Sequence, residues 1–236
     1  MFAIINVSQS NAVFRKPEIS SQRVALQNAE TFFLVTTEKS YGRVPWKKLE
    51  NCMGILKKDV ILTGDTVLPE YSGISEFIPD VFPYIVLINT AIDRLKNGRH
   101  KSLIIFDEKA ICMDYIQSFV NSFERIRVIT PYAEKYTAVA RILLENYGFS
   151  LEVSADPSYD SDVIISNNCD VPLYFSGKVF SNKRKFMMNA EMFSGGEIVL
   201  PEEYESIRPE GVDKLLFASA LYEKCNISEL GNLKFI

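Results

Sequence analysis

The chain has 236 residues, of which 47% are hydrophobic, 24% charged and 12% aromatic, and its formal charge is −4. That composition belongs to a globular chain able to bury a core of its own, and it excludes the disordered, collagen-like and coiled-coil classes. The acidic balance leaves no basic footprint for nucleic acid, so Lys47-Lys48, Lys57-Lys58, Arg99-His100-Lys101 and Lys183-Arg184-Lys185 read as solvated surface.

In chain order, Phe2 to Val7 and Thr31 to Thr37 have the apolar character of strands. Pro45 to Met53 reads as a short helix closed by Gly54 and anchored by the single Trp46, and Asp59 to Leu62 as another strand. Pro69, Gly73, Pro79 and Pro83 then punctuate the chain, which sets a smaller N-terminal α/β lobe at 1–80 and a larger lobe at 81–236. Tyr84 to Lys96 carries apolar residues at helical period and closes at Gly98. Ser102 to Phe106 is a continuous apolar run of strand length, with Asp107 where a helix N-cap would sit.

Ile111, Cys112, Tyr115, Ile116, Phe119, Val120 and Phe123 recur at a spacing that predicts a helix. Arg125 to Thr130 follows as a strand, and Ala133 to Tyr147 as a helix with Gly148 as its cap. Phe149 to Val153 and Asp162 to Ser166 supply two more strands. The stretch from Val171 to Pro201 reads as short strands and turns, with Ser194-Gly195-Gly196 as a hairpin turn into a strand at 197–200. Gly211 to Asn226 is a terminal helix expected to pack back on the sheet. Strand and helix alternating with short connections predict right-handed βαβ crossovers and a parallel sheet.

This order, carried by Lys101 to Ser166, resembles the cofactor domain of NAD(P)-dependent dehydrogenases. The resemblance covers under a third of the chain and implies an α/β fold: a Rossmann-like parallel sheet with helices on both faces, beside the smaller N-terminal α/β lobe. In that family the first strand ends in a glycine-rich turn, because only glycine lets the backbone approach a pyrophosphate held at the helix N-terminus. Here the turn is Asp107-Glu108-Lys109-Ala110-Ile111-Cys112, and no glycine occurs from Arg99 through Tyr147. Two acids at that helix start would repel phosphates. The family's ribose-binding acid, about 20 residues further on, is replaced by Thr130-Pro131-Tyr132.

In open parallel sheets ligands settle beyond the carboxyl ends of the strands. That selects Asp107, Glu108, Thr130, Tyr132, Asn167 and Asn168 as ligand-binding candidates, to which Lys109 adds one compensating charge, and assigns no catalytic residue. Asn167-Asn168-Cys169-Asp170 is also what any turn prefers. Cys52, Cys112, Cys169 and Cys225 are too far apart in sequence for a zinc knuckle or a redox motif, and buried free thiols are expected. With one histidine there is no multi-histidine metal site. His100 is expected to set a cationic side chain against helix-end carbonyls.

The first six residues lack a charged leader, and no apolar run reaches the roughly 18 residues of a membrane span. A cytoplasmic protein without membrane or nucleic-acid partners is therefore expected. The leading functional expectation is a non-enzymatic scaffold with a degenerate cofactor site, binding a small molecule or a protein partner through an unknown cofactor or none. The alternative is a metabolite- or nucleotide-binding enzyme with its site in the cleft between the lobes, contacted by Lys109, Tyr132 or Asn167. A homodimer through the apolar 82–95 helix is the third reading, and it requires an exposed patch.

Overall fold

Ala3–Ser8 (β1), Ile19–Ala25 (β2) and Thr31–Glu38 (β3) open the chain, followed by the helix Trp46–Met53 (α1) and the strand Val60–Leu62 (β4). The computed structural model describes residues 1–8, 18–26, 28–39, 43–168, 171–183, 187 and 189–232. These four strands form one sheet in the order β2-β3-β1-β4. The central β1 runs parallel to β3 and β4, and β2 lies antiparallel on the edge. Alternation along β1 decides its faces. Ala3 and Ile5 join Val35, Trp46, Leu49 and Met53 on the α1 side, while Phe2 stacks on Phe32 with centroids 5.2 Å apart on the other. Gly54, at φ +55, ends α1 with a positive φ that favours glycine.

The second sheet follows Phe82–Leu95 (α2). Its strands are His100–Phe106 (β5), Phe123–Ile129 (β6), Leu151–Ser154 (β7), Val163–Ser166 (β8), Lys178–Phe180 (β9) and Glu191–Phe193 (β10), with the helix Thr137–Tyr147 (α3) between β6 and β7. All six strands are parallel, in the order β10-β9-β8-β5-β6-β7. Counted from β5 this is 3-2-1-4-5-6, the strand order of a Rossmann sheet, whose direction of winding reverses between β5 and β8. The fold class expected from the sequence is the one observed: a parallel α/β sheet flanked by helices, plus a smaller mixed sheet.

The two faces of this sheet carry separate apolar clusters. Leu103, Ile105, Ile126, Val128, Val163, Ile165 and Phe180 face α2 and α3 in a single core. The other face, with Ile104, Ile129, Ile164 and Val179, is closed by Val171, Phe175, Met187 and Tyr159 from irregular segments rather than by a second layer of helices among the described residues. The crossover from β7 to β8 spans only 155–162, and no helix forms there.

Two elements near β5 also differ from the periodicity. The spacing over 111–123 predicts one helix, and the chain instead makes two 3₁₀ turns, Cys112–Asp114 and Ile116–Phe119. Cys112, Ile116, Phe119 and Phe123 are still buried, so the pattern identifies the inward face but not the helix type. Residues 197–200, expected as a hairpin strand, belong to neither sheet. The amides of Gly195 and Gly196 bind the side chains of Asn182 and Thr90 instead.

Contacts divide the chain into two units: Met1–Phe82 with the described part of Val199–Leu233, and Pro83–Ile198. The last stretch, placed with the larger lobe from sequence, thus belongs with the first sheet. It contains Glu202–Glu205 (α4) and Lys214–Cys225 (α5). Phe217 of α5 packs edge-on to Phe2 and Phe32, with centroids 6.3 and 5.7 Å away, and burying such a ring stabilises by about 1.5–3 kcal/mol. Most apolar residues of α2 are buried, and Asp93 and Arg94 are exposed. Among the described residues, no helix is long and apolar enough to cross a membrane.

Candidate functional site

At the carboxyl end of β5 the chain turns through Asp107, which is fully buried. Its amide donates to the Ile129 carbonyl at 2.9 Å, tying the turn to β6. Its carboxylate accepts from the backbone N–H of Lys109 (3.3 Å), Ile111 (3.0 Å) and Cys112 (2.6 Å), and from the hydroxyl of Tyr136. Those amides are the groups that a Rossmann turn presents to a pyrophosphate. Here a side chain of the same turn satisfies them. Ala110 takes the left-handed conformation, φ 58, which this turn reaches without glycine.

Two further polar side chains lie beside this carboxylate and Tyr136. Cys112 donates its thiol to the Tyr84 hydroxyl at 3.4 Å, and Tyr84 donates to the Phe106 carbonyl at 2.7 Å. Burial pushes the Tyr84 and Tyr136 hydroxyls and the Cys112 thiol well above their ordinary ranges, and the negative charge of Asp107 adds to each shift. All three therefore stay protonated and act as donors. Buried and satisfied, the cluster is a structural knot, not a nucleophile with its base.

Between β5 and β8, where ligands cross a Rossmann sheet, the chain's own side chains meet. Asn168 donates its amide to both Glu108 oxygens at 3.1 Å. Asn167 accepts from Asn182 at 3.2 Å, and Asn182 also donates to the Pro83 carbonyl and accepts from the Gly195 amide. These exposed bonds are individually weak, but they bridge the winding reversal from one strand end to the next.

A cavity of about 320 Å³ opens beside this, over the carboxyl ends of β5, β6 and β7. Phe106, Glu108, Ile129, Thr130, Pro131, Ala155, Pro157 and Tyr159 line it. Tyr159 stacks on Phe106 with centroids 5.6 Å apart, and that pair forms one wall. The 155–162 crossover, which forms no helix, contributes Ala155, Pro157 and Tyr159 to its wall. Of the seven residues expected at the site, Glu108 and Thr130 line the cavity and Asn168 reaches it through Glu108. Asp107 is sealed beneath, Lys109 and Tyr132 are not on its wall, and Asn167 joins the amide bridge. Tyr132 is 40% exposed and carries the Lys135 ammonium 4.5 Å above its ring.

Sequence reasoning missed Phe106, Tyr159 and the two prolines. The available signal was Ala155-Asp156-Pro157-Ser158-Tyr159-Asp160, a turn-forming run between two strands that holds one aromatic residue without a helical partner. A second cavity, of about 310 Å³, lies in the first unit between Lys39, Arg43, Trp46, Asp65 and Tyr71.

His100 does not meet helix-end carbonyls as expected. It opens β5 and stacks on Phe123 at 5.2 Å, where burial and then the Lys178 charge lower its pKa against the pull of Asp162. Among the described cysteines, Cys112 and Cys225 are buried free thiols but Cys52, on the outer side of α1, is exposed. Cys169, Asp170 and most of the 183–188 basic stretch lie outside the described residues. No group of three or more metal-ligating side chains occurs among the described residues. No protein-family model matches the chain, and no curated protein matches it.

Proposed function

We propose that the Pro83–Ile198 unit is a non-enzymatic small-molecule-binding domain. In this reading it takes its ligand in the cavity above β5, β6 and β7 and does not hold a dinucleotide at the β5 turn. One observation carries it: the buried Asp107 carboxylate already occupies the amides of Lys109, Ile111 and Cys112. A phosphate would have to displace a satisfied carboxylate from a closed turn, against like charge. Neither Thr130 nor Tyr132 replaces the ribose acid. The cavity volume stands at the lower end of small-molecule sites, which run from about 300 to 1,000 Å³. Its wall mixes apolar rings with few polar groups, as such sites do.

The three described cysteines are free thiols, which suits a reducing compartment and supports a cytoplasmic location.

Thermal melting with NAD, NADP, ATP, FAD and S-adenosylmethionine, beside a panel of phosphate-free ring compounds, tests the proposal. Saturation at a hundred times Kd stabilises by about 2.7 kcal/mol, a shift of roughly 5 to 10 °C for a chain of this size. The expected result is saturable shifts within the phosphate-free panel only. A saturable shift with NAD or NADP overturns the proposal.

A further inference from the structure

We propose that the cavity over β5, β6 and β7 selects a small organic cation: an ammonium or amidinium group carried on a compact apolar ring. The inference rests on the reading above that this cavity is the ligand site, and it adds the chemical class.

The lining decides the class by what it offers and what it lacks. Among the described residues Glu108 is the only carboxylate on the wall; the other lining residues are Phe106, Ile129, Thr130, Pro131, Ala155, Pro157 and the phenol Tyr159. Among the described residues no lysine or arginine lines the cavity, so an anionic ligand would meet the Glu108 carboxylate and no counter-charge from them. Glu108 forms no salt bridge among the described residues. Its two oxygens share one Asn168 amide, which leaves further acceptor capacity on both. That amide also favours a carboxylate position at the rim.

The rest of the wall suits the body of such a ligand. Phe106 and Tyr159 lie nearly parallel, 28° apart, and present aromatic surface beside the carboxylate. Pro131, Pro157 and Ile129 supply flat apolar surface without a competing polar group. Thr130 brings no charge: its hydroxyl oxygen accepts the Tyr132 amide and its own amide donates to the Ser154 carbonyl. A neutral ring gains burial alone. A cation of the same shape gains burial, a charge-assisted hydrogen bond to Glu108 and attraction to the aromatic faces.

The test uses three probes on one ring, benzylamine, benzyl alcohol and benzoate, titrated by calorimetry and by amide NMR shifts at Thr130, Ala155 and Tyr159. Each is measured on the full chain and on its Glu108→Gln and Glu108→Lys variants. Glu108 is exposed, so both variants should fold, and glutamine can keep a bond to Asn168. The expected result is benzylamine binding about tenfold tighter than benzyl alcohol to the wild type, with benzoate weakest. Glu108→Gln should erase the benzylamine advantage and leave benzyl alcohol unchanged, and Glu108→Lys should move the preference to benzoate. Equal binding of benzylamine and benzyl alcohol, or benzylamine affinity indifferent to Glu108→Gln, overturns the cation class while leaving the cavity as a ligand site. Failure of all three rings to shift Thr130, Ala155 or Tyr159 removes the cavity reading itself.

Discussion

Tyr136 and Asp107, 29 positions apart in sequence and both fully buried, are joined by a hydrogen bond from the phenol to the carboxylate. The residue ahead of α3 thereby locks the turn that follows β5. The same carboxylate binds three backbone amides, so removing it strands four donors in a closed site. Asp107→Ala should cost about 3–5 kcal/mol, and Tyr136→Phe about 1–2 kcal/mol, read as shifts in the denaturation midpoint. The double variant Asp107→Gly with Lys109→Gly, which imitates a glycine-rich turn, should lose stability like Asp107→Ala and gain no NAD affinity. A stable double variant that binds NAD would show that the carboxylate is a plug rather than a keystone.

Thiol reactivity separates the described cysteines. Burial raises the Cys112 pKa, the Asp107 charge raises it further, and Cys225 is raised by burial as well, so both hold less thiolate than a free cysteine at neutral pH. Cys52 is exposed. Iodoacetamide labelling followed by peptide mass spectrometry should modify Cys52 first, with Cys112 and Cys225 slower by on the order of a hundredfold until denaturant is added. Rapid labelling of Cys112 in the native protein would contradict its place in the core.

How much of this was legible depends on the range of the interaction that decides it. Apolar runs such as Leu103-Ile104-Ile105 identify a buried strand wherever they occur, and the parallel sheet follows from alternation alone. Ile19–Ala25 escaped because an exposed edge strand, ISSQRVA, has little apolar face to display. The 3₁₀ turns escaped because apolar residues three or four apart satisfy either helix type while the cause, the Asp107 side chain drawing in the amides of Ile111 and Cys112, is not periodic. The C-terminal helix was seen but misplaced, since its partner rings Phe2 and Phe32 lie at the other end of the chain. Of the candidate site, Glu108 and Thr130 came from the rule about strand ends; Tyr159 came from a crossover whose lack of a helix no local signal announces.

His100 offers a clean titration because it is the only histidine. Burial lowers its pKa first, Lys178 lowers it further, and Asp162 opposes them, so the folded value lies below the ordinary 6.5. The unfolded chain then takes up the proton more readily, and the stability associated with neutral His100 is present above about pH 6.5 and lost as pH falls through the window beneath it. Ring NMR shifts should give a midpoint under 6.5, and His100→Phe should flatten the stability profile between about pH 6.5 and the folded midpoint. A midpoint at 6.5 would remove this dependence, and one above 6.5 would reverse its sign.

Ala110 holds φ at 58 while buried in the β5 turn, a conformation that costs an L-residue roughly 1 kcal/mol and glycine almost nothing. Ala110→Gly relieves that strain but also frees the unfolded chain, which offsets about 0.4–1 kcal/mol. The net change should be small, within about 0.5 kcal/mol of the wild type, and nucleotide binding should not appear, because the Asp107 carboxylate stays in place. Equilibrium unfolding with a parallel NAD titration checks both halves.

Glu223 of α5 gathers the start of α2. One of its oxygens accepts the amides of Val81 and Phe82 at 2.9 Å, and both oxygens take the amide of Asp80, at 3.1 and 3.3 Å. A helix start carries unpaired N–H groups and a partial positive charge, so a carboxylate there acts as a cap supplied from a distant part of the sequence. Glu223→Ala should destabilise by about 1–3 kcal/mol. Glu223→Gln should cost less, since its amide oxygen still accepts but without charge. Hydrogen exchange localises the effect: the amides of Asp80, Val81 and Phe82 should lose protection in Glu223→Ala before the amides of β5 do. Uniform loss across both would mean that Glu223 supports the whole fold rather than this one helix start.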